Sequence, residues 1–237
     1  MITVHDLSPN VEVWAEPAPP DLPDALAAEV AALWEKDKAR RGVQLFDGLM
    51  FSVTALAPAR IAGHFVPYRW LVAQRARPAL AASLKVRSLA VSGLIAAADG
   101  VVFGRRAAWL TDDAGCWELI PSGGIDPESV GADGRVDLRR QLLAELAEEV
   151  GLGAEEVTVS EPFCAVENEK NRVLDIGFMI TTGLSKKEVR ARQARLRRPE
   201  YAELAVVAAG DIPAFVASRG AALVEISRAI LGAKGLL

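Results

Sequence analysis

The sequence is poor in the residues that build metal–thiolate centres and disulfide frameworks. Its two cysteines, Cys116 and Cys164, show no paired spacing, which argues against a disulfide framework and for a reducing compartment. The two histidines, His5 and His64, stand far apart, so no His/Cys zinc site can be assembled from the sequence. No apolar stretch approaches the roughly 18–20 residues of a membrane span. The first residues lack a basic flank followed by an apolar run, so no signal peptide is expected and the cytoplasm is the default compartment. A net charge of −4 supplies no basic footprint for nucleic acid. Internal repeats and low-complexity tracts are absent.

What is present reads as a globular chain. Of 237 residues 51% are apolar and 24% charged, enough for one large domain or two small ones. Up to residue 85 the pattern suggests a small α+β module. It has a weak strand over Val11 to Trp14 and a helix over Asp21 to Arg40, with Leu22, Leu26, Val30, Leu33 and Trp34 at helical spacing. A strand follows over Leu49 to Leu56, then Ile61 to Trp70 as its partner, interrupted by Gly63 and Pro67, and a short helix over Leu71 to Arg77. From Ser88 onward the reading is α/β. Strands are expected over Leu89 to Ala97, Val101 to Phe103, Cys116 to Ile120, Val157 to Val166, Asp175 to Thr181 and Ala202 to Ala208. A central helix is expected from an N-cap at Asp137 to Val150, with Leu142, Leu143, Leu146 and Val150 as its apolar stripe. Lys186 to Arg198 carries seven basic residues in thirteen positions and reads as a solvated helix. Trp14, Trp34, Trp70 and Trp109 read as core or interface residues.

The richest stretch is Ala144-Glu145-Leu146-Ala147-Glu148-Glu149-Val150-Gly151-Leu152, with Ser122-Gly123-Gly124 upstream. Glu145, Glu148 and Glu149 share one side of a helix and repel one another there. They also crowd the helix end before Gly151, where the macrodipole is already negative. Glu149 falls at the edge of the apolar stripe, a costly place for an unpaired carboxylate. A bound cation offsets such penalties, and clustered carboxylates are hard oxygen donors suited to Mg²⁺ or Mn²⁺.

This segment resembles the signature of the Nudix hydrolases, G-x5-E-x7-R-E-U-x-E-E-x-G-U with U aliphatic, and matches its second half from Glu145 to Leu152. Gly124 lies 21 positions before Glu145, against 15 in the family, so the loop carries a six-residue insertion. Ala144 stands at the family's arginine and Val136 at its first glutamate; Arg140, one turn earlier, is the nearest replacement for the arginine. The flanks are similar too: Val101 to Arg106, the turn Asp112 to Gly115, Trp117-Glu118-Leu119-Ile120-Pro121, and a final strand and short helix over Glu200 to Phe215. The likeness covers roughly residues 88 to 218.

The resemblance implies a Nudix fold, an α/β/α sandwich with a mixed sheet, over residues 86–237, preceded by the α+β module of residues 1–85. It implies Glu145, Glu148 and Glu149 as metal ligands, and Glu149 or a later loop glutamate as the base that activates water. Glu167 is the first choice for that later residue and Glu169 the second. Gly123 and Gly124 would let backbone N–H groups approach the substrate, and Arg105, with Arg106 beside it, would contact a diphosphate. The implied activity is metal-dependent hydrolysis of a nucleoside diphosphate derivative. The extended loop, Phe46-Asp47-Gly48 and Tyr68 are similar to members acting on UDP-sugars; ADP-ribose or a dinucleotide is an alternative. The rival from another class is a Nudix-fold regulator that binds a nucleotide and hydrolyses it weakly. The expected partner is a small nucleotide, with no nucleic acid and no membrane; a homodimer is left open.

Overall fold

The computed structural model describes residues 1–41 and 46–237. The chain runs β1 (Ile2–His5), β2 (Glu12–Ala15), α1 (Asp24–Arg41), β3 (Leu49–Ala57), β4 (Arg60–Pro67), α2 (Tyr68–Ala76) and a single turn α3 (Ala81–Leu84). It continues through β5 (Ser88–Ala97), β6 (Gly100–Arg106), β7 (Trp117–Leu119), β8 (Ser122–Gly124), β9 (Arg135–Val136) and α4 (Leu138–Glu149). Last come β10 (Thr158–Val159), β11 (Cys164–Asn168), β12 (Val173–Thr181), α5 (Lys186–Gln193), β13 (Tyr201–Val207), α6 (Ile212–Arg219) and α7 (Glu225–Ala233).

The described strands form one mixed sheet. β5 lies at its centre, parallel to β12 and antiparallel to β6 and β8. Segments on both sides of residue 85 enter this sheet: β1 pairs with β11, and Ser52 of β3 meets Ser88 of β5. Side chains alternate along β5. Leu89, Val91 and Ile95 pack with Leu142, Leu146 and Val150 of α4 and its cap, while Leu94 joins Ile212, Val216, Ile226 and Ile230 of α6 and α7. The sheet is therefore a middle layer with helices on both faces. A smaller core of Val30, Val66, Leu71, Ala73, Leu80, Leu84 and Val86 ties α1 and α2 to β4.

Local chemistry moves several boundaries. The first helix starts at Asp24 and not Asp21, because the Pro23 carbonyl receives the first helical N–H groups, from Leu26 and Ala27. β4 stops at Pro67 and α2 begins at Tyr68, so the extended reading through Trp70 is corrected. The strand expected over Val157 to Val166 is two strands, β10 and β11, with Pro162 in the break, where it has no N–H to offer a ladder.

Candidate functional site

Helix α4 is built as its sequence implies. The Asp137 side chain accepts the Arg140 N–H at 2.9 Å, an N-cap, and Gly151 at φ 75° ends the helix by donating to the Leu146 and Ala147 carbonyls. Leu142, Leu146 and Val150 are fully buried against β5, which fixes the rotation of the helix and turns its glutamates toward β8. Gly123 and Gly124 sit on β8, opposite Val91 and Ala90 of β5. A Cβ at Gly123 would overlap the Glu145 carboxylate, so this position lets the side chain rest on bare backbone. Gly124 has open space where a side chain would stand.

Glu149 is only 3% exposed. Its Oε2 accepts from the Ser122 N–H at 2.9 Å and from the Tyr201 hydroxyl at 3.3 Å. That hydroxyl also donates to Glu118 Oε1 at 2.8 Å, and Glu118 pairs with Arg106 at 2.5 Å. Burial pushes Glu149 well above the ordinary carboxylate range, against the Ser122 hydrogen bond and with repulsion from Glu145, Glu118 and Glu200. Burial likewise raises Glu145 to about 7; its hydrogen bond from Gln141 opposes this, and Glu148, Asp126 and Glu200 add to it. Glu148 is exposed. Among the described residues no cation pairs with these three glutamates, and no three Asp, Glu, His or Cys side chains converge into a ready-made metal cage. The acidic crowding is present; the converged geometry is not.

The other expected residues lie as follows. Glu167, on β11, gives one oxygen to Arg87 Nε at 2.8 Å and the other to Arg87 Nη2 at 2.6 Å and His5 Nε2 at 3.2 Å. Burial would raise its pKa, but Arg87 and His5 hold it below the usual range. Among the described residues no hydrogen bond or ion pair joins Glu167 to the α4 glutamates. Arg105 points outward, 3.3 Å from the Gly115 carbonyl and 4.0 Å from Glu203, whereas Arg106 turns inward to Glu118. Arg140 is exposed and lines a separate groove with Asn10, Asp137 and Glu161.

Beside β8 a cavity of about 700 Å³ opens on the face of β5 opposite α4. It is lined by Ser88, Ser92, Ser122, Gly123, Gly124, Asn168, Asn171 and Asp175, with Arg106 and Glu118 on one side. Ser92 links Ser122 at 3.1 Å to Asp175 at 2.8 Å. Burial raises the Asp175 carboxyl to about 7 despite the Ser92 hydrogen bond. Reading the sequence missed Asp175, Tyr201 and the inward turn of Arg106. Only period-2 alternation on β6, which lets one of two adjacent arginines face in, hinted at the last.

No protein-family profile matches the chain, and no curated protein does. Solved structures do. The MutT protein from Methanosarcina mazei Go1 is 17% identical, over 63% of this chain and 92% of its own, with a TM-score of 0.40. RenU, a Nudix hydrolase from M. smegmatis, is 20% identical over 54% of this chain and 74% of its own, at 0.39. A C. elegans Ap4A hydrolase, solved as a binary complex, is 15% identical over 56% of this chain and 91% of its own, also at 0.39.

Proposed function

We propose that this chain is a Nudix-type pyrophosphohydrolase, cleaving the diphosphate linkage of a nucleoside diphosphate derivative with Mg²⁺ or Mn²⁺. The observation that carries this reading is the pair Glu145 and Glu149 on one helix, both drawn against a glycine strand without a cationic partner among the described residues. Carboxylate oxygens are the donor set a hard divalent cation takes, so Glu145, Glu149 and the exposed Glu148 fit it chemically. Such an ion, when bound, neutralises charge on the phosphate oxygens. Glu149 is the favoured base; the basicity of Glu167 is reduced by its ion pair with Arg87.

The cavity beside Gly123 and Gly124 would hold the rest of the substrate. Its serines and asparagines offer hydrogen bonds to a hydroxyl-rich group, which supports a UDP-sugar within this class, and Arg75 and Arg106 on the same lining add positive charge beside its acidic residues. The second reading, a nucleotide-binding regulator, draws on Ala144, which puts no cation beside the glutamates. Incubating the purified protein and Mg²⁺ with UDP-glucose, ADP-ribose, dinucleotides and nucleoside triphosphates tests both. UMP and a sugar phosphate are the expected products. Tight nucleotide binding without any product supports the regulator and defeats the enzyme.

A further inference from the structure

Glu145 needs something to hold it, and Ala144 beside it is exposed and cannot. Gln141, one turn earlier on α4 and 3% exposed, is placed to do so. Its amide oxygen accepts from the Asp126 N–H at 3.1 Å and from the Ser129 hydroxyl. With the oxygen occupied by two donors, the amide is held against flipping, and its NH₂ faces the carboxylate. Gln141 Nε2 lies 2.8 Å from Glu145 Oε1. Among the described residues Glu145 Oε2 receives no donor. Asp126 and Ser129 both belong to the loop between Gly124 and Asp137, the stretch that is six residues longer than the family pattern. The lengthened loop thus ends, through Gln141, on the carboxylate. A neutral amide also leaves the glutamate's full charge for a cation, whereas a guanidinium would neutralise part of it.

We propose, resting on the metal-site reading above, that Gln141 is the positioning residue for Glu145: locked by Ser129 and Asp126, it ties down one carboxylate oxygen and presents the other to a divalent cation. Losing a hydrogen-bond partner behind a metal ligand lowers metal affinity by about ten- to a hundredfold. Titration of Mn²⁺ followed by the EPR signal of the free ion reads this without turnover. Gln141→Leu should bind Mn²⁺ at least about tenfold more weakly than wild type, lowering kcat at saturating substrate while KM changes less than about threefold.

Gln74→Leu serves as a control, because it removes another buried amide, one held by the Val86 backbone. It should lower the melting temperature and leave Mn²⁺ affinity intact. Should Gln141→Leu fail to fold, Ser129→Ala, which removes one of the two donors holding the amide oxygen without altering the helix, should show a loss of at least about threefold on the same reasoning. A folded Gln141→Leu or Ser129→Ala variant with wild-type Mn²⁺ affinity overturns the proposal. So does an equal loss in Gln74→Leu. Wild-type protein that binds no Mn²⁺ refutes the metal site itself, an outcome distinct from failure of the Gln141 assignment alone.

Discussion

The Tyr201 hydroxyl reaches Glu149 Oε2 at 3.3 Å, joining the first residue of β13 to the last residue of α4. Tyr201 is 1% exposed and its hydroxyl also serves Glu118, so one proton is shared between two buried carboxyl groups. Burial, with Glu118 and Glu149 beside it, raises the phenol well above its ordinary pKa and keeps it a donor. Tyr201→Phe keeps the ring and removes that donor. Glu149 Oε2 keeps its Ser122 donor and Glu118 keeps Arg106, so the loss is that of a hydrogen bond and not of an unsatisfied group, about 0.5–1.5 kcal/mol, which urea unfolding at neutral pH should show. A variant as stable as wild type would mean that the hydroxyl contributes nothing to holding Glu149.

A second expectation concerns pH. Asp175 is raised from 3.8 to about 7 by burial, so the folded state prefers it protonated. The stability conferred by the neutral acid is whole below about pH 4 and is lost as pH rises through about 7. At about 1.4 kcal/mol per unit the shift corresponds to something on the order of 4 kcal/mol. Glu145, also raised to about 7, acts in the same direction. Unfolding measured from pH 5 to 8 should therefore show wild type declining more steeply than Asp175→Asn. Parallel curves would place the titration elsewhere.

If a cation relieves the repulsion among Glu145, Glu148 and Glu149, Mg²⁺ or Mn²⁺ should stabilise the fold. A ligand at a hundred times its Kd, binding only the native state, adds about 2.7 kcal/mol. Saturating metal should raise the melting temperature of wild type and scarcely move that of the triple variant carrying Gln at all three positions. Equal shifts in the two proteins would locate the ion outside α4.

Much of this arrangement was legible in the chain. Asp137, the leucines at helical spacing and Gly151 define α4 locally, and the edge position of Glu149 already implied a buried carboxylate. Less legible were the partners that reach the site across the sheet. Tyr201, Arg106 and Glu118 meet only through the pairing of β13 with β6 and of β6 with β7, which no local pattern encodes. The short strand β1 went unread, and with it the approach of His5 to Glu167, so that glutamate looked freer than it is. Helix α7 was missed too, although Ile226, Ile230 and Leu231 sit at helical spacing and cover β11. Gln141 was visible on the face of Glu145, but its lock, Ser129, lies in a loop without periodicity.

The central claim is that the α4 glutamates support metal-dependent hydrolysis, and a single-turnover experiment tests it most directly. Excess protein is mixed with trace labelled nucleoside diphosphate sugar and Mn²⁺, conditions that reveal slow chemistry hidden in steady-state assays. Wild type should form nucleoside monophosphate, and Glu149→Gln, which keeps the shape and removes the charge, should be slower by at least about a hundredfold, as for loss of a principal catalytic group. Equal rates in the two proteins, or binding with no product from wild type after prolonged incubation, would contradict the account.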